Sequence, residues 1–244
     1  MDRQGVRKSL TDIQGVRKSF GLQTMVDITL VMDATGSMQN LMDNVKANAL
    51  ELHAKIKEAL KDKNRLADKI RVKIIAFRDV YEDQTPFIES DFFVLRENGD
   101  GDEVLFRQFV SSIEAIGGGD EPESALEALH MAINADYAES YQGQKARHII
   151  VLMTDASAHK LDDPRRDLCP NYPQGVPADL PGLQAEWESK MDIRARRLVV
   201  FAPNAYPWSA ISTWMDVQYV PSPAGVGIDS QHFSEVLRFI AGSI

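Results

Sequence analysis

From residue 25 onward the chain alternates short, nearly continuous apolar runs with longer stretches in which apolar residues recur every three or four positions. The short runs have strand length and are rich in β-branched residues, as strands buried on both faces are; the longer pattern marks helices that bury one stripe. MVDITLVMD (25–33) predicts a first strand, and Leu41, Val45, Ala49, Leu52, Ile56 and Leu60 predict one helix of about six turns after it. IRVKIIAF (70–77) predicts a second strand. PFIESDFFVL (86–95) predicts a third, returning as a hairpin after the turn-like YEDQT and so lying antiparallel at an edge. Helices are expected over 103–116, where three glycines stop the pattern, and over 122–134, where Pro122 opens it. RHIIVLMTD (147–155) is the strongest strand signal. A long polar, proline-rich segment (156–182) follows it and exceeds the length of a simple connection. The remainder predicts a helix at 183–195, a strand at 196–202, a short helix at 206–215, a strand at 217–220 and a closing helix at 232–240.

Strands and helices in alternation predict an α/β fold, a mostly parallel sheet with one antiparallel edge strand and helices on both faces. Ligands of such sheets bind at the carboxyl ends of the strands. The chain has 244 residues, 44% hydrophobic and 26% charged, which suits one domain over 25–244 with one packed core. Residues 1–24 carry a short duplication, QGVRKSL at 4–10 and QGVRKSF at 14–20, and read as a lead-in or tail, since two copies are too few to stack. With 36 acidic against 27 basic residues the net charge is -9, and no basic stripe offsets it, which argues against nucleic acid as a partner. No apolar run is long enough for a membrane span. One cysteine, Cys169, and no apolar leader at the N-terminus give the expectation of a reduced, cytoplasmic protein.

Both central strands end in aspartate, Asp33 in VMDATGSM and Asp155 in VLMTDAS. Asp33, Thr35 and Ser37 occupy alternating positions of a tight turn in which Gly36 is expected to permit the bend, so their oxygens can converge. A donor set made of oxygen alone suits a hard cation. A third loop, GGGDEPES (117–124), can bring Asp120 to the same edge. Three or four side-chain oxygens plus water favour Mg²⁺, with Mn²⁺ or Ca²⁺ as substitutes, and a helix starting near Ser37 would point its positive end at the site.

The D-x-T-x-S run at Asp33, Thr35 and Ser37, the strand-ending Asp155 and the Gly-rich loop between them resemble the metal-ion-dependent adhesion site (MIDAS) of von Willebrand factor type A (vWA) domains. The resemblance spans roughly residues 25–240 and points to the intracellular subgroup with a GGGDxPE loop. It implies a Rossmann-like three-layer sandwich, a bound Mg²⁺, and a partner protein that supplies an Asp or Glu carboxylate as the last ligand. Asp33, Ser37 and Asp155 would then bind the ion directly or through water, with Thr35 where serine is usual. The family's second loop normally offers threonine; here Gly119 and Asp120 stand in its place. A third carboxylate would tighten metal binding and weaken an incoming carboxylate.

The resulting expectation is a Mg²⁺-dependent protein-recognition module and not an enzyme, since the three loops hold no Ser-His, Cys-His or paired acid/base set. The rival is a haloacid-dehalogenase-like phosphotransferase with Asp33 as nucleophile, but Thr35 stands where its general acid would be. A nucleotide switch is weakest, for want of a P-loop. Arg78 and Asp79, at the same edge, are expected to form an ion pair. His159 and Cys169 lack the spacing of a zinc site. His53 and His130 fall within helical patterns as ordinary surface or packed side chains. Tyr172, Trp187, Trp208 and Trp214 are either anchors for a partner or parts of the core.

Overall fold

The computed structural model describes residues 23–48, 52–62, 67–96, 101–118, 121–140, 144–224 and 230–243. The duplicated segment therefore lies outside the described residues. Seven strands form one sheet: β1 (Gln23–Asp33), β2 (Lys69–Phe77), β3 (Phe87–Glu89), β4 (Phe93–Leu95), β5 (Gln144–Met153), β6 (Arg196–Ala202) and β7 (Val217–Pro221). The order is β3-β2-β1-β5-β6-β7, with β4 also on β2. The β1–β2, β1–β5, β5–β6 and β6–β7 pairs are parallel, while β3 and β4 run antiparallel to β2. The sequence placed one strand at this edge; the structure divides it in two. Ser90 causes the division: its amide donates to Ile74 O at 3.0 Å while its hydroxyl accepts from Ile74 N at 2.9 Å, standing in for the ladder carbonyl.

Among the described residues seven α-helices accompany the strands: α1 (Gln39–Asn48), α2 (Leu52–Asp62), α3 (Glu103–Ser112), α4 (Ala125–Ile133), α5 (Leu180–Lys190), α6 (Trp208–Ile211) and α7 (Ser230–Ser243). The single helix expected after β1 is described as α1 and α2, with residues 49–51 between them outside the described set. Successive β1 side chains alternate between the two faces. Val26, Ile28, Leu30 and Met32 join Leu41, Ile56, Phe106 and Ile240 in one core, whereas Val31 packs with Leu129, Leu152, Trp187 and Trp208 in the other. The result is a three-layer α/β sandwich of Rossmann-like build. Among the described residues no helix is long and apolar enough to cross a membrane.

Two boundaries moved for identifiable reasons. β1 starts at Gln23, within the expected lead-in, because Gln23 and Thr24 pair with Gln144 and Lys145. α5 starts at Leu180 and not at 183, because Asp179 caps it by accepting from Gly182 N at 2.8 Å and Pro181 suits the first turn.

Up to the Asp179 cap, the 156–182 segment is a tied loop. Arg166 donates to the carbonyls of Leu161, Val176 and Pro177 at 2.8–3.0 Å and lies over the Tyr172 ring. Asp163 caps a short 3-10 turn, Pro164–Leu168. Trp187 and Trp208 are fully buried and Trp214 nearly so, which makes them core residues; Trp208 Nε1 donates to Ala156 O at 2.9 Å, holding the chain just after Asp155.

Candidate metal centre at the sheet rim

The parallel register sets the ends of β1 and β5 side by side: Met32 pairs with Met153, so Asp33 stands beside Thr154 and Asp155. Asp33 is fully buried. Its Oδ1 accepts from Thr35 N at 2.9 Å and from Thr35 Oγ1 at 2.5 Å, and its Oδ2 accepts from Thr154 Oγ1 at 2.7 Å. Ser37 Oγ donates to Asp155 Oδ1 at 3.0 Å and lies 3.4 Å from Thr35 Oγ1. Four of the five expected residues thus meet in one chain of oxygens; the fifth, Asp120, lies outside the described residues. Thr35, Ser37 and their neighbours leave β1 in a 3-10 turn, Gly36–Met38, that runs directly into α1, so a helical N-terminus faces the cluster. Gly36 is not needed for the bend: it has no left-handed φ, and a Cβ there would meet nothing within 4 Å.

The glycines that matter are on the third loop. Gly117 and Gly118 have φ of +71° and +65°, and a Cβ on Gly118 would stand 2.4 Å from Thr35 Cγ2 and 2.7 Å from a Glu123 oxygen. Backbone bonds fix this approach: Ile116 N donates to Ala34 O at 3.0 Å, and Gly36 N to Gly117 O at 3.4 Å. Arg78 tightens it from below. The expected ion pair with Asp79 is replaced by donation from the buried guanidinium to the carbonyls of Ala34, Thr85 and Glu114. Three loop segments converge on that one group, which is why it is spent on backbone. Asp79 instead accepts from Tyr81 N at 2.8 Å and sits 3.0 Å from His159 Nε2.

Glu123 is the site residue that sequence reasoning missed. It is 4% exposed, and its Oε2 has no hydrogen-bond partner. Burial, followed by the charges of Asp33, Asp79, Asp83 and Asp155, pushes its carboxyl up to about 8. Its signal was present, a second acid just after Pro122 in GGGDEPES, but a helix start accounted for it equally well. Burial likewise raises Asp33 to about 6, against the opposing hydroxyl bonds, with Asp155 adding repulsion. Crowding of these buried acids favours their protonated forms, so at neutral pH Glu123 is largely uncharged.

The donor set fits a hard cation. Ligands 2.0–2.1 Å from an octahedral Mg²⁺ lie about 2.9 Å from their neighbours in the shell. The 3.0 Å between Ser37 Oγ and Asp155 Oδ1 has that length, and the 3.4 Å between Thr35 Oγ1 and Ser37 Oγ is slightly longer. Among the described residues no group of three or more His, Cys, Asp or Glu side chains could hold a metal on its own. What gathers here mixes carboxylates with hydroxyls.

No protein-family model matches the chain. Over 172 residues it is 26% identical to the alpha-protein kinase vwkA of Dictyostelium discoideum, a match that covers 70% of this chain and 24% of that protein. The chain therefore spans about a quarter of that relative's length. Among solved structures it resembles the pilus adhesin SpaC of Lactobacillus rhamnosus GG, with TM-scores of 0.56 and, for the open conformation, 0.52. Those likenesses cover 91% of this chain and 31% of the adhesin at 12% and 13% identity. At that level they show a shared fold.

Proposed function

We propose that the chain is a vWA domain whose sheet rim binds Mg²⁺ and, through it, a protein partner that offers an Asp or Glu carboxylate. One observation carries this reading: Asp33, Thr35, Ser37 and Asp155, at the ends of two parallel strands, form a continuous chain of oxygens in which the Ser37 Oγ–Asp155 Oδ1 separation of 3.0 Å has the length between neighbouring ligands of an octahedral ion. Ser37 and Asp155 would hold the ion, Thr35 would complete that side, and Asp33, its oxygens already engaged by two threonine hydroxyls, would orient the shell. Asp120 would be the third loop's ligand, and Glu123 would add a second acid from the same loop. The ion would supply a positive centre that a carboxylate of a partner can complete. Cys169, free and with no second cysteine to pair with, fits a cytoplasmic setting. Thr35 and Thr154 also weigh against the phosphotransferase reading, because their hydroxyls engage both Asp33 oxygens.

The test is thermal unfolding with increasing Mg²⁺. At a hundredfold excess over Kd, wild type gains about 2.7 kcal/mol, a rise of roughly 5–10 °C in melting temperature. Asp155→Ala should fold and show no rise. An equal rise in the variant would refute the site.

A further inference from the structure

Charge is divided unevenly along the chain. Residues 1–22 hold five cations, Arg3, Arg7, Lys8, Arg17 and Lys18, against Asp2 and Asp12, a net charge of +3, so the rest of the chain carries -12. Four of these cations lie in the two QGVRKS copies, at 4–9 and 14–19. Asp12 stands between the copies, four residues after Lys8 and five before Arg17.

The rim has the opposite balance. Its described loops, 78–86, 114–118, 121–124 and 154–168, hold ten acids against four cations and one histidine. Three of the cations are committed, Arg78 and Arg166 to backbone carbonyls and Arg165 to Asp163, which leaves Lys160 exposed. Glu82, Glu114 and Glu121 are exposed around the cluster, so the rim stays negative even with Glu123 uncharged. A carboxylate approaching such a rim alone is repelled; one that brings cations on both sides is drawn in, because the flanking charges outweigh its own. Ser37 is exposed at the accessible edge of the cluster, and Ile116, 53% exposed, adds an apolar spot where the third loop begins.

We propose that the partner is a second copy of this chain, whose Asp12 completes the ion while Arg7, Lys8, Arg17 and Lys18 meet the exposed rim acids and Ile13 lies against Ile116. The proposal rests on the Mg²⁺-dependent reading above and names its partner. Asp12 cannot serve the rim of its own molecule. Gln23 starts β1 at the opposite end of the sheet, and the 11 residues of that strand span about 33 Å. The stretch from Asp12 to Gln23 extends at most about 36–40 Å. β1 lies between β2 and β5 with a packed core on each face, so a route to its own rim must pass outside a helical layer. That layer is about 10 Å thick, and the detour out and back exceeds the few ångströms to spare. The contact therefore runs head-to-tail, from the segment before β1 in one copy to the rim of the next.

Sedimentation velocity of the full chain over a range of concentrations, in Mg²⁺ and in EDTA, tests it, with Mg²⁺-dependent melting of each protein measured at low concentration. Wild type should associate in Mg²⁺ and return to monomer in EDTA. Asp12→Asn, and the double variant Lys8→Glu with Arg17→Glu, should each weaken association about tenfold or more and keep the wild-type melting shift. Asp155→Ala should lose both. Mixed in Mg²⁺, Asp12→Asn and Asp155→Ala should form a one-to-one pair and nothing larger, since the first keeps a working rim and the second a working Asp12. Absence of any Mg²⁺ shift in wild type would overturn the metal reading itself. A normal shift with wild type monomeric throughout, with association that Asp12→Asn leaves unchanged, or with no pairing in the mixture, would overturn self-recognition alone.

Discussion

Individual acids at the rim are buried where their charged forms are unfavourable. Glu127 on α4 is fully buried; its Oε1 accepts from Tyr172 OH at 2.8 Å, its Oε2 has no partner, and burial raises its carboxyl to about 7. With Glu123 at about 8, both acids have folded-state values far above the 4.5 of an unperturbed glutamate. In that interval the folded state binds protons that the unfolded state does not, so stability falls as pH rises through 7 and 8. Unfolding by urea in the presence of a chelator should therefore show a gain on the order of 1 kcal/mol from pH 8.5 to pH 7. Over that range His148, held below its ordinary value by burial, stays neutral in the fold and contributes little. Glu123→Gln should flatten most of the slope, and a flat wild-type profile would show that these carboxyls are better solvated than the geometry implies. Asp33, Thr35, Ser37 and Asp155 were legible as a set because their signal is local spacing plus strand ends. Glu123 and Thr154 were not, and Arg78 was legible at the edge but not its three carbonyl partners, because what makes these residues matter is which distant groups they touch.

At the scale of elements, the third loop is the part most sensitive to shape. Gly118→Ala places a Cβ within 2.4 Å of Thr35 and demands a left-handed backbone from alanine, so the loop must withdraw from the β1 turn. We expect a loss of about 1–2 kcal/mol of stability, from the left-handed strain, and a tenfold or greater weakening of Mg²⁺ binding by calorimetry. Unchanged affinity would mean that the loop does not shape the site. The sequence marked β1, β2, β5 and β6 as apolar runs of strand length, but it marked strand ends less well and read β3 and β4 as one. Ser90 splits the edge strand through a side-chain bond that no periodicity encodes, and Asp179 starts α5 early through a cap whose partner, Gly182, sits beyond a proline. The long 156–182 segment was legible as unusual in length and proline content. That Arg166 ties it into a fixed loop depends on three carbonyls near in sequence but arranged only by the fold.

Across the whole molecule, a parallel sheet sets the ends of β1 and β5 together, two cores on opposite faces hold it rigid, and Arg78 locks a third loop against the junction. On the metal-binding reading proposed above, the hydrogen bonds that join these oxygens would hold them near the positions a cation requires. A net charge of -9 and an acidic rim would draw divalent cations and discourage acidic partners until one is bound. The most direct measurement is an anomalous difference map from crystals of the protein grown with Mn²⁺, which has the hard-cation chemistry of Mg²⁺ and can be located by its scattering. The account predicts one strong peak at the carboxyl end of β1 and β5, within about 2.5 Å of Ser37 Oγ and an Asp155 oxygen. A map with no peak there, or with its strongest peak elsewhere on the molecule, would contradict it.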